Sequence, residues 1–360
     1  MKNSPFATQV IQPDYLPPVI KNYRTNFFGN KKRLLTQILK EIPEGTNTIA
    51  DVFGGTGIVA WTFKNQGYQV IANDVMRYPS IRMKALVENQ STSLSNIDLD
   101  QLCSNIRKSG EMNTILEIYK ISFGVQNCRF LEAWANNIKK LDNPIKKNIA
   151  VYIPVAVIST YFKYSHIHWG SDNKPIGLKD MVLVDLEKEV RNFALNTFPN
   201  FVHDNGKNNH VYNQDALSLI PEIEADVLYL DPPYSSKSGG SYEADYGFLD
   251  DLVSLLKGED HLIKDPTDSK CELAPYTYFG SRTSAITGLA KIFECSLHIP
   301  TLIISYNDTS NISPNEIMTF ARIYGREVTA SKFLVPLTCN STSGKKTTNE
   351  YLISCSRKAA

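Results

Sequence analysis

The stretch TIADVFGGTGIVAWTFKNQGYQVIAND, residues 48–74, decides the fold. Its first residues, 48–53, have the apolar character of a buried strand, and the glycine-rich turn 54–57 follows directly. A helix is predicted over 58–66 and a second strand over 68–74. A strand, a glycine turn, a helix and a strand that closes in an acid make up the βαβ unit of nucleotide-binding α/β sheets.

The charges beside the turn indicate which nucleotide would bind. Asp51 ends the first strand, and Asp74 follows the glycines at about the 20-residue spacing expected of an acid that binds a ribose. A carboxylate at Asp51 would repel a pyrophosphate and attract an ammonium group. S-adenosylmethionine has an α-ammonium, a sulfonium and a ribose but no phosphate, and the chain lacks the Walker lysine pattern. The sequence therefore favours S-adenosylmethionine over NAD and ATP.

A second apolar strand, predicted over 226–230, ends in the tetrapeptide Asp231-Pro232-Pro233-Tyr234. The prolines stop the strand ladder and stiffen the turn, and the carboxyl end of such a strand is where open α/β sheets bind ligands. A carboxylate, a proline carbonyl and an aromatic ring can hold a flat ring that bears an amine. The tetrapeptide alone leaves two interpretations open, this clamp and a proline-braced loop.

Composition sets broad limits on the function. The chain has 360 residues, of which 42% are hydrophobic and 21% charged, as in an ordinary globular protein. A net charge of +1 gives no global electrostatic argument for a nucleic-acid partner, so local patches must supply it. Six cysteines without a CxxC pair predict reduced thiols, no metal site and a cytoplasmic protein. We expect no signal peptide and no membrane span.

The pattern along the chain predicts an α/β sheet with a long insertion. Residues 1–20 are polar and proline-dotted and are expected to form an extended arm. Residues 21–95 and 206–360 carry the strand and turn patterns of the sheet, whereas 96–205 shows long amphipathic stretches typical of helices. Residues 235–272 are acidic and are predicted to be rich in loops. Helices are predicted from near residue 30 to about residue 40 and over 76–95, and a terminal pair of strands over 327–335 and 349–355.

Taken together, these residues resemble the DNA adenine-N6 methyltransferases of bacterial modification systems, in the Dam-like D12 class. The matching segments are Phe28-Gly29-Asn30-Lys31 with Arg33-Leu34-Leu35, DVFGGTG at 51–57, Asn73-Asp74, Asp215, DPPY at 231–234 and ISYND at 304–308. Phe27 and Asn30 stand where Dam-like enzymes commonly have a tryptophan and a second glycine. The resemblance implies a Rossmann-like S-adenosylmethionine-dependent methyltransferase fold, with 96–205 as a target-recognition domain, double-stranded DNA as partner, and a monomer or weak dimer.

The resemblance also implies the roles of individual residues. The expected catalytic residues are Asp231, Pro232, Pro233 and Tyr234, and the expected cofactor-binding residues are Phe28, Lys31, Asp51, Phe53, Gly54, Gly55, Thr56, Gly57, Asp74, Asp215 and Asp231. In this scheme Asp231 and the Pro232 carbonyl accept the hydrogens of the adenine amine, and Tyr234 stacks on the base. A base inside a duplex cannot reach such a site, so the target must be flipped out.

Several alternatives remain at this point. The target could be cytosine N4, RNA or a protein amide. Asp231 weighs against the first and the last, because cytosine-N4 enzymes usually carry serine at this position and glutamine-amide enzymes asparagine. A catalytically silent module that binds S-adenosylmethionine or DNA is a different class. For the basic stretch Lys139, Lys140, Lys146 and Lys147 we favour a solvated helix face over a phosphate-binding one, and for His166, His168 and Trp169 packing or surface hydrogen bonds over DNA contact. The recognition sequence is not predicted.

Overall fold

The fold is an α/β sheet with helices on both faces. The computed structural model describes residues 8–10, 31–106, 110–161, 168–169, 175–176, 181–233, 242–259, 281–307, 310, 312–336 and 347–357. The strands are β1 Thr8–Val10, β2 Thr48–Asp51, β3 Gln69–Asn73, β4 His168–Trp169, β5 Pro175–Ile176, β6 His210–Tyr212, β7 Val227–Leu230, β8 Thr301–Asn307, β9 Arg326–Pro336 and β10 Thr347–Arg357. All except β4 and β5, which pair with each other, belong to one eight-stranded sheet.

The helices that the structure describes connect and cover these strands. They are α1 Leu35–Lys40, α2 Ile58–Asn65, α3 Arg77–Met83, α4 Asn96–Leu102, α5 Thr114–Phe123, α6 Val125–Ile138, α7 Pro144–Ser159, α8 Leu186–Asn192, α9 Ala216–Leu219, α10 Tyr242–Lys257, α11 Arg282–Cys295 and α12 Pro314–Ile323. A π-helical turn, Lys84–Glu88, continues α3, and another, Phe193–Thr197, continues α8. Across these ranges no helix has both the length and the apolar character needed to cross a membrane.

The strand order creates a switch point in the middle of the sheet. The order is β1-β9-β10-β8-β7-β2-β3-β6. Strand β2 pairs in parallel with β3 on one side and with β7 on the other, and β10 runs antiparallel to β8 and β9. The chain leaves β2 through β3 and β6 and returns to the other side of β2 at β7. The crevice at the carboxyl ends of β2 and β7 is therefore the place where such a sheet binds ligands.

Each face of the sheet has its own hydrophobic core, because successive strand residues point to opposite faces. On one face, which we call the α1 face, Tyr229, Ile303 and Leu352 pack in a cluster with Leu34 and Leu35. The same cluster continues through α2 into the helices between 96 and 205. On the other face, Leu228 and Ile304 pack against helices α9, α11 and α12. The helical insertion thus shares a continuous core with the sheet, and its role as a separate recognition domain stays a prediction.

The loop prediction for residues 235–272 is wrong where the structure describes them, because Tyr242–Lys257 is the helix α10. Its apolar residues recur at helical spacing and are buried against α5, α6 and α7; they are Phe248, Leu249, Leu252, Val253 and Leu256. The high density of acids concealed this spacing in the sequence. Two of the acids, Asp250 and Asp251, lie on the packed side of the helix.

Other predicted boundaries shift, and one predicted pair is confirmed. The helix expected over 76–95 ends at Glu88, after a π-helical turn. The helix expected to begin near residue 30 begins at Leu35. The terminal strand pair predicted over 327–335 and 349–355 is confirmed as the antiparallel pair β9 and β10.

Candidate active site

Two carboxylates lie on either side of the switch point. Asp51 is the last residue of β2, and Asp231 follows the last residue of β7. In the parallel register Asp51 of β2 pairs with Tyr229 of β7. Asp231 therefore lies beside β2, two residues beyond the level of Asp51 toward the carboxyl ends of the strands. Both residues alternate onto the α1 face, after Ile49 and Tyr229 respectively. The fold therefore brings together the two acids on which the sequence argument depended.

Asp51 is almost completely buried at the end of β2. It is 1% exposed, and neither carboxylate oxygen accepts a hydrogen bond of normal length and angle from any residue that the structure describes. Burial, together with the charges of Asp231 and Asp74, raises the pKa of Asp51 to about 8, although the amides of Phe53 and Ala60 act to lower it. Without a ligand, this carboxyl group holds its proton to near neutral pH.

The glycine turn closes around Asp74, whose two oxygens accept separate backbone hydrogen bonds. Gly55 donates its N–H to Oδ2 at 2.8 Å, and Met76 donates to Oδ1 at 2.9 Å. Burial raises the pKa of Asp74 to about 7, against the effect of these two amides. A Cβ at Gly54 would displace the end of the Met83 side chain and lie 3.2 Å from the backbone carbonyl oxygen of Asn73, so the turn packs closely against both.

A buried asparagine that the sequence argument did not select ties three strand ends together. Asn73 donates through Nδ2 to the carbonyls of Val52 and Gln214, each at 3.0 Å, and accepts from the Gln214 N–H at 3.1 Å. Asn213 donates to the carbonyl of Asp74 at 2.8 Å. These bonds join the carboxyl ends of β2, β3 and β6. They bring the predicted adenine-contacting acid, Asp215, to the same edge of the sheet.

Asp215 also caps a helix, so its carboxylate already has a structural task. One oxygen accepts from the N–H and the hydroxyl of Ser218, each at 3.2 Å, at the start of α9. A carboxylate has further lone pairs, and its contact with the cofactor's adenine stays a prediction.

Lys31 lies next to Asp231 although 200 residues separate them in the chain. Its Nζ is 2.9 Å from Asp231 Oδ1, and the two side chains are 3% and 20% exposed. Burial acts to lower the pKa of Lys31, but the charges of Asp231 and Glu350 outweigh it and raise the pKa. Lys31 is therefore a fixed cation under the predicted acceptor. Tyr229, 1% exposed, lies nearby, and burial and Asp231 raise its pKa well above the ordinary value.

Asp250 links the chain after the DPPY segment to the chain after Asp74. Its oxygens accept from the N–H groups of Arg77 at 2.9 Å and Tyr78 at 2.8 Å, so α10 caps the first turn of α3. Burial raises the pKa of Asp250 to about 6, and its charge in turn contributes to the raised pKa of Asp74. Sequence reasoning missed this residue because its segment was predicted as a loop.

The remaining predicted residues have mixed outcomes. Thr56 and Pro232 are buried, and Phe53 and Pro233 are partly buried at the same edge. Phe28 and Tyr234 lie outside the described residues, as does His166. Of the basic stretch, Lys146 pairs with Asp98 at 2.8 Å and Lys140 donates to the Asn137 side-chain oxygen at 2.7 Å. In the part of the chain that is described, no three His, Cys, Asp or Glu side chains are grouped so as to hold a metal ion.

Comparison with known proteins shows the class of enzymes that this chain resembles. Residues 27–252 match the family model of the D12 class N6 adenine-specific DNA methyltransferases. The chain is 30% identical over 321 residues to the type II methyltransferase M2.HphI of Haemophilus parahaemolyticus, covering 85% of this chain and 89% of the relative. It is 24% identical to the type II methyltransferase M.NlaIII of Neisseria lactamica, covering 91% and 98%, and 26% identical to the modification methylase StsI of Streptococcus sanguinis, covering 81% and 45%.

The chain belongs to the D12 class of N6 adenine-specific DNA methyltransferases. It is a site-specific DNA adenine methyltransferase with an α/β fold, and its relatives are named as type II methyltransferases and modification methylases.

Proposed function

We propose that the chain transfers a methyl group from S-adenosylmethionine to N6 of an adenine turned out of double-stranded DNA, at the crevice between Asp51 and Asp231. The observation that carries the proposal is the buried Asp51 carboxylate, which lacks a full hydrogen bond from the described residues. Burying such a group is costly unless a cation or a donor meets it. The site therefore fits a ligand that carries an ammonium group and no phosphate.

The cofactor would lie along the ends of β2, β3 and β6. Asp51 is assigned to the α-ammonium group, and the backbone of 53–57 to the wall of the pocket. Each oxygen of Asp74 accepts one backbone hydrogen bond, so lone pairs remain for two ribose hydroxyls. Asp215 is assigned to the adenine of the cofactor. When bound, the cofactor supplies an electrophilic methyl group on a sulfonium.

Asp231 acts on the target amine, as a hydrogen-bond acceptor before the methyl group is transferred and as the carboxylate that takes up the surplus proton of N6 afterwards. The amine of adenine is a poor nucleophile because its lone pair is delocalised into the ring. Asp231 and the Pro232 carbonyl accept its hydrogens and draw them out of the ring plane, while Tyr234 stacks on the base. The ion pair with Lys31 holds the Asp231 carboxylate in one orientation. Orientation of this kind accounts for a large share of the rate in positioned reactions.

Access to the base is the task assigned to residues 96–205. The target must leave the duplex, which costs a few kcal/mol of unstacking and unpairing. The helices of this insertion share one core with the sheet, so DNA contacts made there would be held rigidly relative to Asp231. We propose this segment as the part of the chain that selects the DNA sequence.

The test is transfer of labelled methyl from S-adenosylmethionine to unmethylated genomic DNA. We expect the label in N6-methyladenine, and for Asp231→Ala a fall in rate on the order of a thousandfold. Glu327→Ala, which removes an exposed acid from β9, is the matched control and should keep the full rate. Label at cytosine, or a rate that survives Asp231→Ala, would overturn the proposal.

A second measurement separates the enzyme from a silent binding module. Cofactor binding by calorimetry together with no transfer to any DNA would favour the module. Single-molecule sequencing of DNA from cells that express the chain would give the methylated base and its sequence context in one experiment.

A further inference from the structure

A buried acid on the last strand, Glu350, has no task in the scheme above. It is 8% exposed and lies on β10, opposite Asn307 of β8 and Phe333 of β9. Alternation along the strand places Glu350 on the same face as Leu352, which belongs to the hydrophobic cluster of the α1 face. A carboxylate is rarely buried in such a place unless it is paired.

The strand registers place Glu350 near Lys31. Leu230 of β7 pairs with Ile304 of β8, and Ile304 pairs with Ile353 of β10. Asp231 is therefore level with Leu352, and Glu350 lies two residues beyond Leu352 toward the crevice, on the same face. Because β7 and β10 are about 10 Å apart, the Lys31 ammonium group, 2.9 Å from Asp231, lies within reach of the Glu350 side chain.

The charges agree with this placement. After burial, which acts in the opposite direction, Asp231 and then Glu350 are the largest influences on the pKa of Lys31. Asp231, at the end of β7, binds the Lys31 ammonium group with a distance of 2.9 Å between Oδ1 and Nζ. Glu350 acts on the same ammonium group from β10, two strands away in the sheet.

We propose that Glu350 is a positioning residue that shares the Lys31 ammonium group with Asp231. Lys31 then orients the catalytic carboxylate but neutralises only part of its negative charge. The inference rests on the proposed function, because the oriented group is the acceptor for the target amine. When Glu350 is neutral, the charge of Lys31 acts on Asp231 alone. Asp231 then becomes a weaker acceptor, while the cofactor contacts at β2, β3 and β6 remain intact.

The first test measures stability and does not depend on the enzymatic activity. Thermal unfolding is compared for the wild type, Lys31→Met, Glu350→Gln and the double variant. Lys31→Met leaves both acids without their cation, so adding Glu350→Gln to it should raise the midpoint temperature, whereas in the wild type the same substitution should lower it. This reversal of sign is the signature of a shared cation. An equal change in both backgrounds would show that Glu350 and Lys31 act independently and would overturn the proposal.

Two further variants keep this test decisive. If Lys31→Met does not fold, Lys31→Gln replaces it in the same cycle. Glu327→Gln makes the same chemical change at an exposed position of β9 and should not alter the midpoint temperature in either background.

The second test measures the chemical step. For Glu350→Gln we expect kcat to fall about tenfold, the rate equivalent of a modest loss of transition-state stabilisation, with the dissociation constant for S-adenosylmethionine within about twofold of wild type. Glu350→Asp, which keeps the charge, should recover most of the rate. Unchanged kcat, or equal loss in both Glu350 variants, would reject the positioning role. If the wild type itself transfers no methyl to DNA, the proposed function fails, and the stability cycle still decides whether the acids share Lys31.

Discussion

The polar groups in the two halves of the crevice are held in place by different kinds of interaction. In the cofactor half, at the ends of β2, β3 and β6, the polar groups are fixed mainly by backbone hydrogen bonds: Asp74 accepts two amides and Asn73 joins three strand ends. In the acceptor half, at the ends of β7, β8 and β10, Asp231 is fixed by the side chain of Lys31. In one half the polar side chains bind backbone groups, and in the other an acid is paired with the charge of a side chain from a distant part of the chain.

This difference predicts which property a substitution in each half should affect first. A group held by backbone amides keeps its place as long as the turn keeps its shape, so substitutions there should act first on stability and cofactor affinity. A group held by an opposite charge depends on the balance of charges around it, so substitutions there should act first on the reaction. Substitutions in each half test this division, and the largest effect is expected at Asn73.

Asn73→Ala should be the most damaging change in the cofactor half. It removes three hydrogen bonds from a fully buried position and leaves the Val52 and Gln214 carbonyls without that donor. We expect the free energy of unfolding to fall by about 3 kcal/mol, because unsatisfied buried polar groups are costly. Urea denaturation measures this loss.

The matched control is Asn65→Ala, which removes a single hydrogen bond to Trp61 within α2 at an exposed position. It should cost less than about 0.5 kcal/mol. Equal losses for the two variants would mean that the ends of β2, β3 and β6 are not held by Asn73, and the division between the halves would be wrong on this side.

The contrast between the halves also explains which features could be read from the sequence. The βαβ unit, the position of Asp74 and the strand before Asp231 follow from patterns within about 30 residues. Asn73 and Asp250 could not be recognised as structural groups, because their partners Gln214 and Arg77 are distant in sequence. The apolar spacing inside α10 was available, and the acids around it obscured it.

The pKa of Asp51 gives the second prediction. In the folded protein this pKa is about 8, against an ordinary value of 3.8. The folded state therefore keeps a proton that the unfolded chain has lost, so the free energy of unfolding falls as pH rises from about 4 to about 8. Asp51→Asn cannot ionise and should be clearly more stable than the wild type at pH 8, with little difference between the two proteins at pH 4.

Denaturation of both proteins at several pH values checks this result, and a difference that does not change with pH would contradict it. The same carboxyl group should release its proton when an ammonium group binds. Calorimetry of S-adenosylmethionine binding at pH 7 in two buffers of different ionisation enthalpy should show proton release by the wild type and much less by Asp51→Asn.

Asp250 provides a smaller test at the boundary between the halves. Asp250→Ala removes the acceptor for the Arg77 and Tyr78 amides at the start of α3 and should cost about 1 kcal/mol of stability, a typical value for a lost helix cap. Because α3 begins just after Asp74, we also expect weaker cofactor binding, by about threefold. Ser95→Ala removes a cap of similar kind from α4, away from the crevice, and should lower stability without affecting cofactor affinity. If Asp250→Ala leaves the cofactor affinity unchanged, α10 does not contribute to the cofactor half of the crevice.

The smallest effect is expected for the ion pair between Lys146 and Asp98, which has nearly the same length as the pair between Lys31 and Asp231. The distances are 2.8 and 2.9 Å, but Lys146 is 30% exposed and Lys31 only 3%. Water screens the exposed pair, so Lys146→Met should cost about 0.5 kcal/mol, whereas breaking the buried pair through Lys31→Met should cost several times more. The ratio should also respond to salt, since screening at about 1 M affects exposed charges far more than buried ones. Denaturation of both variants at low and high salt measures it, and equal losses would mean that the charge of Lys31 is solvated and that Asp231 is held by something other than this ion pair.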